Sequence, residues 1–126
     1  MSKIKNIMNK KPITASEKDD VKKLCKILSK SKLSGIPVTS KNGMLKGFVS
    51  ERDVINNVGK ADFLAMITAD IMNKTVKTVS PEDSITSASK IFSELNIRIL
   101  PVVKAGKVVG TITRKEVINR LLKNMH

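Results

Sequence analysis

Two short stretches of this 126-residue chain set a carboxylate three residues after a hydroxyl: Gly47-Phe48-Val49-Ser50-Glu51-Arg52-Asp53 and Gly110-Thr111-Ile112-Thr113-Arg114-Lys115-Glu116. In each, an apolar run ends on Ser50 or Thr113 and an amphipathic run begins, the pattern of a strand turning into a helix. The first turn of a helix carries unpaired N–H groups and the positive end of the dipole, so such a corner can hold an anion. The same residues also spell a capping box, in which the hydroxyl caps the helix and the acid reaches back to the cap N–H. Glu is the usual acid of that box, so Thr113/Glu116 fits the purely structural reading better than Ser50/Asp53.

The remaining residue types narrow the chemistry. The only aromatics are Phe48, Phe63 and Phe92, too few to build stacking platforms for single-stranded nucleic acid. A formal charge of +13 favours polyanions. No block of five or six like charges stands out, so a solvated basic surface is the default expectation. The one cysteine, Cys25, is read as packed on an apolar helical face with Val21, Leu24 and Leu28, and the one histidine is the last residue, His126. That composition excludes an intrachain disulfide, a His/Cys zinc site and a histidine-based triad. No apolar run approaches the roughly 18 residues needed to span a bilayer, and no apolar signal segment follows Lys3 and Lys5, so the expectation is a soluble, cytoplasmic protein.

The elements that must position the two corners repeat as well. Ile7-Met8-Asn9-Lys10 recurs as Ile71-Met72-Asn73-Lys74, Thr14 as Thr78, Ser16 as Ser80 and Pro37-Val38 as Pro101-Val102, at a spacing of 64. After a one-residue deletion, Gly43 matches Gly106, Gly47 matches Gly110 and Val54-Ile55-Asn56 matches Val117-Ile118-Asn119. Internal duplication is the firmest inference, with repeats at residues 1–64 and 65–126 forming one compact pair. Each copy reads β-α-β-β-α, an α/β (α+β) unit. Ser16, with Asp19, caps a helix to about Lys30; Ile36–Thr39 and Leu45–Ser50 form a hairpin; Glu51 to about Asn57 forms a second helix. Phe63, Met66 and Ile67 pack a helical turn between the copies. Ser80-Pro81-Glu82-Asp83 is a second helix start, with Ser80 at the cap.

In their joint order, Ile-Met-Asn-Lys, Ile36-Pro37-Val38, Leu100-Pro101-Val102 and the Gly-x-x-Ser/Thr-x-x-acid corners resemble a tandem of cystathionine-β-synthase (CBS) domains, a Bateman module, over about residues 3–122. The resemblance implies two β-α-β-β-α repeats about a pseudo-twofold axis, with two clefts for adenosine-containing ligands. It implies homodimers and a regulatory role without catalysis, with AMP, ADP, ATP, S-adenosylmethionine or NAD as signals for a protein effector. Carried over, Asp53 would accept hydrogen bonds from the ribose diol and Ser50 would help hold phosphate, beside Phe48 and Val49. The opposing wall would be Val76, Lys77 and Thr78 with Ile97, Arg98, Ile99 and Pro101, the apolar members enclosing adenine and Arg98 meeting phosphate. Arg98 is read equally as a solvated strand-end charge, and Ile99 and Pro101 can be plain core. The second cleft would use Thr14, Gly35, Pro37, Thr113 and Glu116. There Glu116 stands for the expected Asp and Ser34-Gly35 for Arg98-Ile99, so one competent site through Asp53 and a weaker or empty one at Glu116 are expected.

The leading reading is a stand-alone adenosyl-ligand sensor with no active site or catalytic cofactor. The alternative is a nucleic-acid-binding protein using the basic surface of the same scaffold; an enzyme has least support, since no acid/base, nucleophile or metal constellation is present.

Overall fold

Buried apolar residues at helical spacing place α1 (Val21–Ser31) against a sheet: Val21, Leu24 and Leu28 face inward. They meet Ile36 and Val38 of β2 (Gly35–Thr39) and Val49 of β3 (Leu45–Ser50) in one cluster. Fully burying an aliphatic side chain of this kind contributes about 1.5–3 kcal/mol. In the computed structural model, which describes residues 2–125, β2 and β3 pair antiparallel, and the two-residue β1 (Ala15–Ser16) pairs parallel to β2. Helix α2 (Glu51–Asn57) leaves the end of β3, and a 3-10 turn (Phe63–Ala65) and the short α3 (Thr68–Ile71) follow. In that turn Phe63 is half-buried against the core and Met66 is buried, whereas Ile67 is 37% exposed. His126 lies outside the described residues.

Residues 13–76 form one compact unit, and the segment up to Pro12 together with the chain from Lys77 onward forms another. The second unit repeats the plan. Helix α4 (Ile85–Leu95) packs Ile85, Ala88 and Phe92 on the hairpin β4 (Ile99–Lys104) and β5 (Lys107–Thr113), and α5 (Arg114–Asn124) follows. Its first strand is reduced to a parallel bridge between Val79 and Val102.

The sequence period, with its boundary between residues 64 and 65, is cut differently in space. Asn73 of the second Ile-Met-Asn-Lys exchanges backbone hydrogen bonds of 2.8 and 2.9 Å with Phe48, while Asn9 of the first exchanges 2.8 and 3.1 Å bonds with Thr111. Each of these segments therefore joins the hairpin of the other sequence repeat. The glycines make the approach possible. A Cβ on Gly47 would lie 2.6 Å from Met72 Sδ and 2.9 Å from the Asn73 carbonyl, and one on Gly110 would lie 2.8 Å from the Asn9 carbonyl. Neither has a positive φ, so close packing rather than backbone conformation requires glycine here.

The segment that crosses to the second unit is anchored there. Ile4 is fully buried, its N–H donates to the Asp83 carbonyl at 2.8 Å, and Arg120 donates to Ser2 Oγ and to the Asn6 carbonyl. Lys3 and Lys5 reach Glu82 at 2.7 and 3.0 Å, and these hydrogen bonds, Lys3 first, lower the Glu82 carboxyl from 4.5 to about 2.

Three sequence expectations are corrected. Ser16 and Ser80 do not cap helices. Their N–H groups donate to Asp19 and Asp83 at 2.9 and 2.8 Å in turns, and the caps are Asp20 and Ser84 four residues later. A Ser-x-x-Asp pair serves a turn as well as a cap, and Pro81 suits the second position of a type I turn as readily as a helix start. Cys25 is exposed rather than packed: at 100° per residue it sits roughly 65° from the centre of the stripe set by Val21, Leu24 and Leu28, beyond its edge.

Candidate functional site

The residues expected to meet a ligand are divided between the units. Phe48, Val49, Ser50, Asp53 and Val76 lie in the unit of residues 13–76, as do Thr14, Gly35 and Pro37; the others lie in the second unit.

In the first unit β3 delivers Ser50 in extended conformation, with φ −110° and ψ 165°, and α2 begins at the next residue. Ser50 N–H and Oγ–H both donate to Asp53 Oδ2, at 2.8 and 2.9 Å, and Asp53 N–H donates to Ser50 Oγ at 3.1 Å. This is a complete capping box, and it engages only one carboxylate oxygen. Asp53 Oδ1 makes no hydrogen bond among the described residues, and the side chain is half-buried. Two contacts that the sequence reading did not single out steady the corner. Asn57 Nδ2 donates to the Asp53 carbonyl at 2.7 Å, and Glu51 N–H donates to the Ser34 carbonyl at 2.9 Å. The amide at i+4 of Asp53 was the available signal for the first; nothing local marks the second, because it joins different elements.

Register brings together residues expected in two different clefts. Gly35 pairs with Ser50 and Pro37 with Phe48. The Phe48 ring lies over Gly35, where a Cβ would come within 2.5 Å of it. Val49 is fully buried in the core, so its side chain is occupied by packing, as is that of Pro37. Thr14 and Val76 are half-buried in coil at the two ends of the unit.

In the second unit Ile99 and Pro101 are buried and pair with Thr113 and Thr111. Ile97 is half-buried against the core, Arg98 and Lys77 are exposed, and Thr78 is half-buried. Thr113 Oγ1 donates to Glu116 Oε2, but the Thr113 side chain makes no capping bond to α5. The expectation that this copy is the better capping box is thus reversed. The shorter Asp53 keeps its carboxylate level with Ser50 N–H, whereas the Thr113 hydroxyl is turned to the longer Glu116 side chain. Arg114 is directed away from its helix start, donating to the Phe92 carbonyl at 3.4 Å.

Among the described residues no three His, Cys, Asp or Glu side chains group to hold a metal ion, and no helix is long and apolar enough to cross a membrane.

With the duplicated β-α-β-β-α plan and its corners described, comparison with known proteins places the fold. The CBS-domain family model matches residues 4–60 and 68–123, and the chain belongs to the CBS-domain family as a tandem pair. It is 30% identical to the uncharacterized protein MJ1426 of Methanocaldococcus jannaschii, over 94% of this chain and 90% of that one. It is also 26% identical to the A-adding tRNA nucleotidyltransferase of Aquifex aeolicus, of whose length it spans 15%. Among solved structures it is similar to CBSX2 in complex with AMP, with a TM-score of 0.86 at 25% identity, covering 98% of each chain. It is similar too to the CBS domain pair of protein MJ0100 in complex with 5′-methylthioadenosine and S-adenosyl-L-methionine, with a TM-score of 0.80 at 27% identity, over 98% and 97% of the chains.

Proposed function

We propose that this chain is a regulatory module that binds an adenosine-containing ligand, AMP, ADP, ATP or S-adenosylmethionine, without catalysing its conversion. The observation that carries the reading is the Asp53 carboxylate. One oxygen is held by Ser50 and the other is unengaged on a half-buried side chain, so the group is oriented before a ligand arrives. A carboxylate so fixed accepts from a ribose hydroxyl at low ordering cost. Support comes from the family, two of whose members of like fold hold AMP or S-adenosylmethionine. Phe48 and Ser50 are assigned to the same ligand. The Thr113–Glu116 corner is assigned weaker binding or none. Thermal unfolding and calorimetry with AMP, ADP, ATP, S-adenosylmethionine and NAD test this. One adenosyl ligand is expected to raise the midpoint at a stoichiometry near one per chain. No shift with any of them, or binding near two per chain, contradicts it.

A homodimer is part of the proposal. Ile118, Leu121 and Leu122 form an exposed i, i+3, i+4 stripe on α5, the spacing that pairs helices, beside a groove of about 530 Å³ lined by Phe92, Val117, Ile118 and Leu121. Light scattering is expected to give twice the chain mass for the wild type and a monomer for I118E; a monomeric wild type refutes it. The location is proposed to be the cytoplasm, and the partner an effector protein answering the ligand.

A further inference from the structure

The charge of this protein is not spread evenly over equivalent elements. Helix α1 carries Lys22, Lys23, Lys26 and Lys30 and no carboxylate, whereas its counterpart α4 carries one Lys and one Glu. The fold therefore does not demand a basic helix at this place. All four lysines are exposed, on the side of α1 opposite the buried Val21, Leu24 and Leu28. Lys23 lies 3.5 Å from Asp19, while Lys22, Lys26 and Lys30 have no ion pair among the described residues. Spaced by four, those three form a row about 12 Å long, and like charges at that spacing oppose helix formation. A surface that needed only solubility would mix signs.

We propose that the solvent face of α1 is a docking surface for the phosphate backbone of a nucleic-acid duplex. Charge complementarity selects a polyanion, and the neighbours of the row narrow it. The face presents no aromatic, so it offers nothing for unstacked bases of a single strand. The apolar face of α1 is already buried in the core, so the helix has nothing to insert into a membrane. The only other side chains on the face are the small Cys25 and Ser29, which let a backbone approach closely but give a protein partner no anchor. A row about 12 Å long matches the width of a B-form major groove, so lysines at its two ends can meet phosphates along the margin. Recognition of this kind carries no sequence information. The proposal does not depend on the adenosyl-ligand reading.

The test is fluorescence anisotropy of a labelled 20-base-pair DNA duplex of arbitrary sequence (the length chosen as about two helical turns) against the full chain between about 50 and 200 mM salt. Three phosphate contacts contribute about 2.7 to the log–log salt slope, so this row is worth about a 40-fold fall in affinity over that fourfold rise. The triple variant K22Q/K26Q/K30Q should lose that part of the slope and bind more weakly throughout. A control with the same change in net charge, K90Q/K104Q/K107Q, alters exposed lysines of the other unit and should lower the slope by less than about 1. Unfolding midpoints of both variants are measured alongside and should not fall below the wild type, because every altered side chain is exposed and the changes in α1 relieve like-charge repulsion. Equal losses in the two triples would reduce the effect to net charge and overturn the proposal. So would the absence of duplex binding at the lowest salt, or phosphatidylserine vesicles retaining the protein through these lysines while the duplex does not.

Discussion

Substituting Asp53 by Asn separates the two roles of the corner. Asn retains an oxygen that can accept from Ser50 N–H and Oγ, the bonds now 2.8 and 2.9 Å long, so most of the cap survives. What is lost without ligand is a negative charge in the first turn of α2, worth about 0.3–1 kcal/mol. For a chain of this length 1 kcal/mol corresponds to roughly 4 °C in the midpoint, so the free variant should melt about 1–4 °C below wild type. The bound state should suffer more. Replacing a charged acceptor of ribose hydrogen bonds by a neutral amide costs about 2 kcal/mol, or roughly 30-fold in Kd. At a ligand concentration a hundred times the wild-type Kd, stabilisation falls from about 2.7 to about 0.9 kcal/mol, and the ligand-induced shift from about 10 °C to about 3 °C. The assay is thermal unfolding with and without the adenosyl ligand, with calorimetry to read Kd directly. S50A is the counterpart: it removes both bonds of the Ser50 hydroxyl and should cost about 1 kcal/mol in the free protein. An Asp53→Asn protein that melts far lower without ligand yet keeps the full ligand shift would refute the reasoning and leave Asp53 as a helix cap.

Two further outcomes concern the framework. G47A and G110A each drive a Cβ to within 3 Å of a backbone carbonyl and should lose about 1–3 kcal/mol in urea unfolding, whereas G59A, which meets nothing within 4 Å, should stay close to wild type; equal effects would show that the crossing segments do not need this contact. The Glu82 carboxyl is lowered to about 2, so its pairing with Lys3 and Lys5 stabilises the fold above the ordinary value of 4.5 and is lost as pH falls from there through about 2. E82Q should therefore flatten the fall of the unfolding midpoint over that window, and because the pair is exposed the difference should shrink in high salt; an unchanged pH profile would show that the pair holds nothing.

Much of the fold is written in local pattern. The hairpins, the helices after Ser50 and Thr113, and the duplication follow from alternation, turn residues and repeat spacing, which act over a few residues and so survive in a one-dimensional reading. The corner residues were legible for the same reason, since Ser50 and Asp53 interact within one helical turn. Local spacing misled where two motifs share a spelling. Ser16-x-x-Asp19 and Ser80-x-x-Asp83 look like helix caps and are turns. Cys25 looks apolar by position and lies outside a stripe whose width only packing sets.

By itself, then, the sequence determined the repeat, the β-α-β-β-α order and the hydroxyl–acid corners, because covalent neighbours, capping and periodicity are short-range. The tertiary structure alone decided that residues 7–10 pack on the hairpin of the later repeat and residues 71–74 on that of the earlier one. It alone showed that Gly47 and Gly110 are needed for close contact, and that one oxygen of Asp53 remains unengaged. The two crossing contacts depend on which surfaces exclude water together, between Phe48 and Asn73 and between Asn9 and Thr111, residues far apart in the chain, and no local pattern encodes that choice.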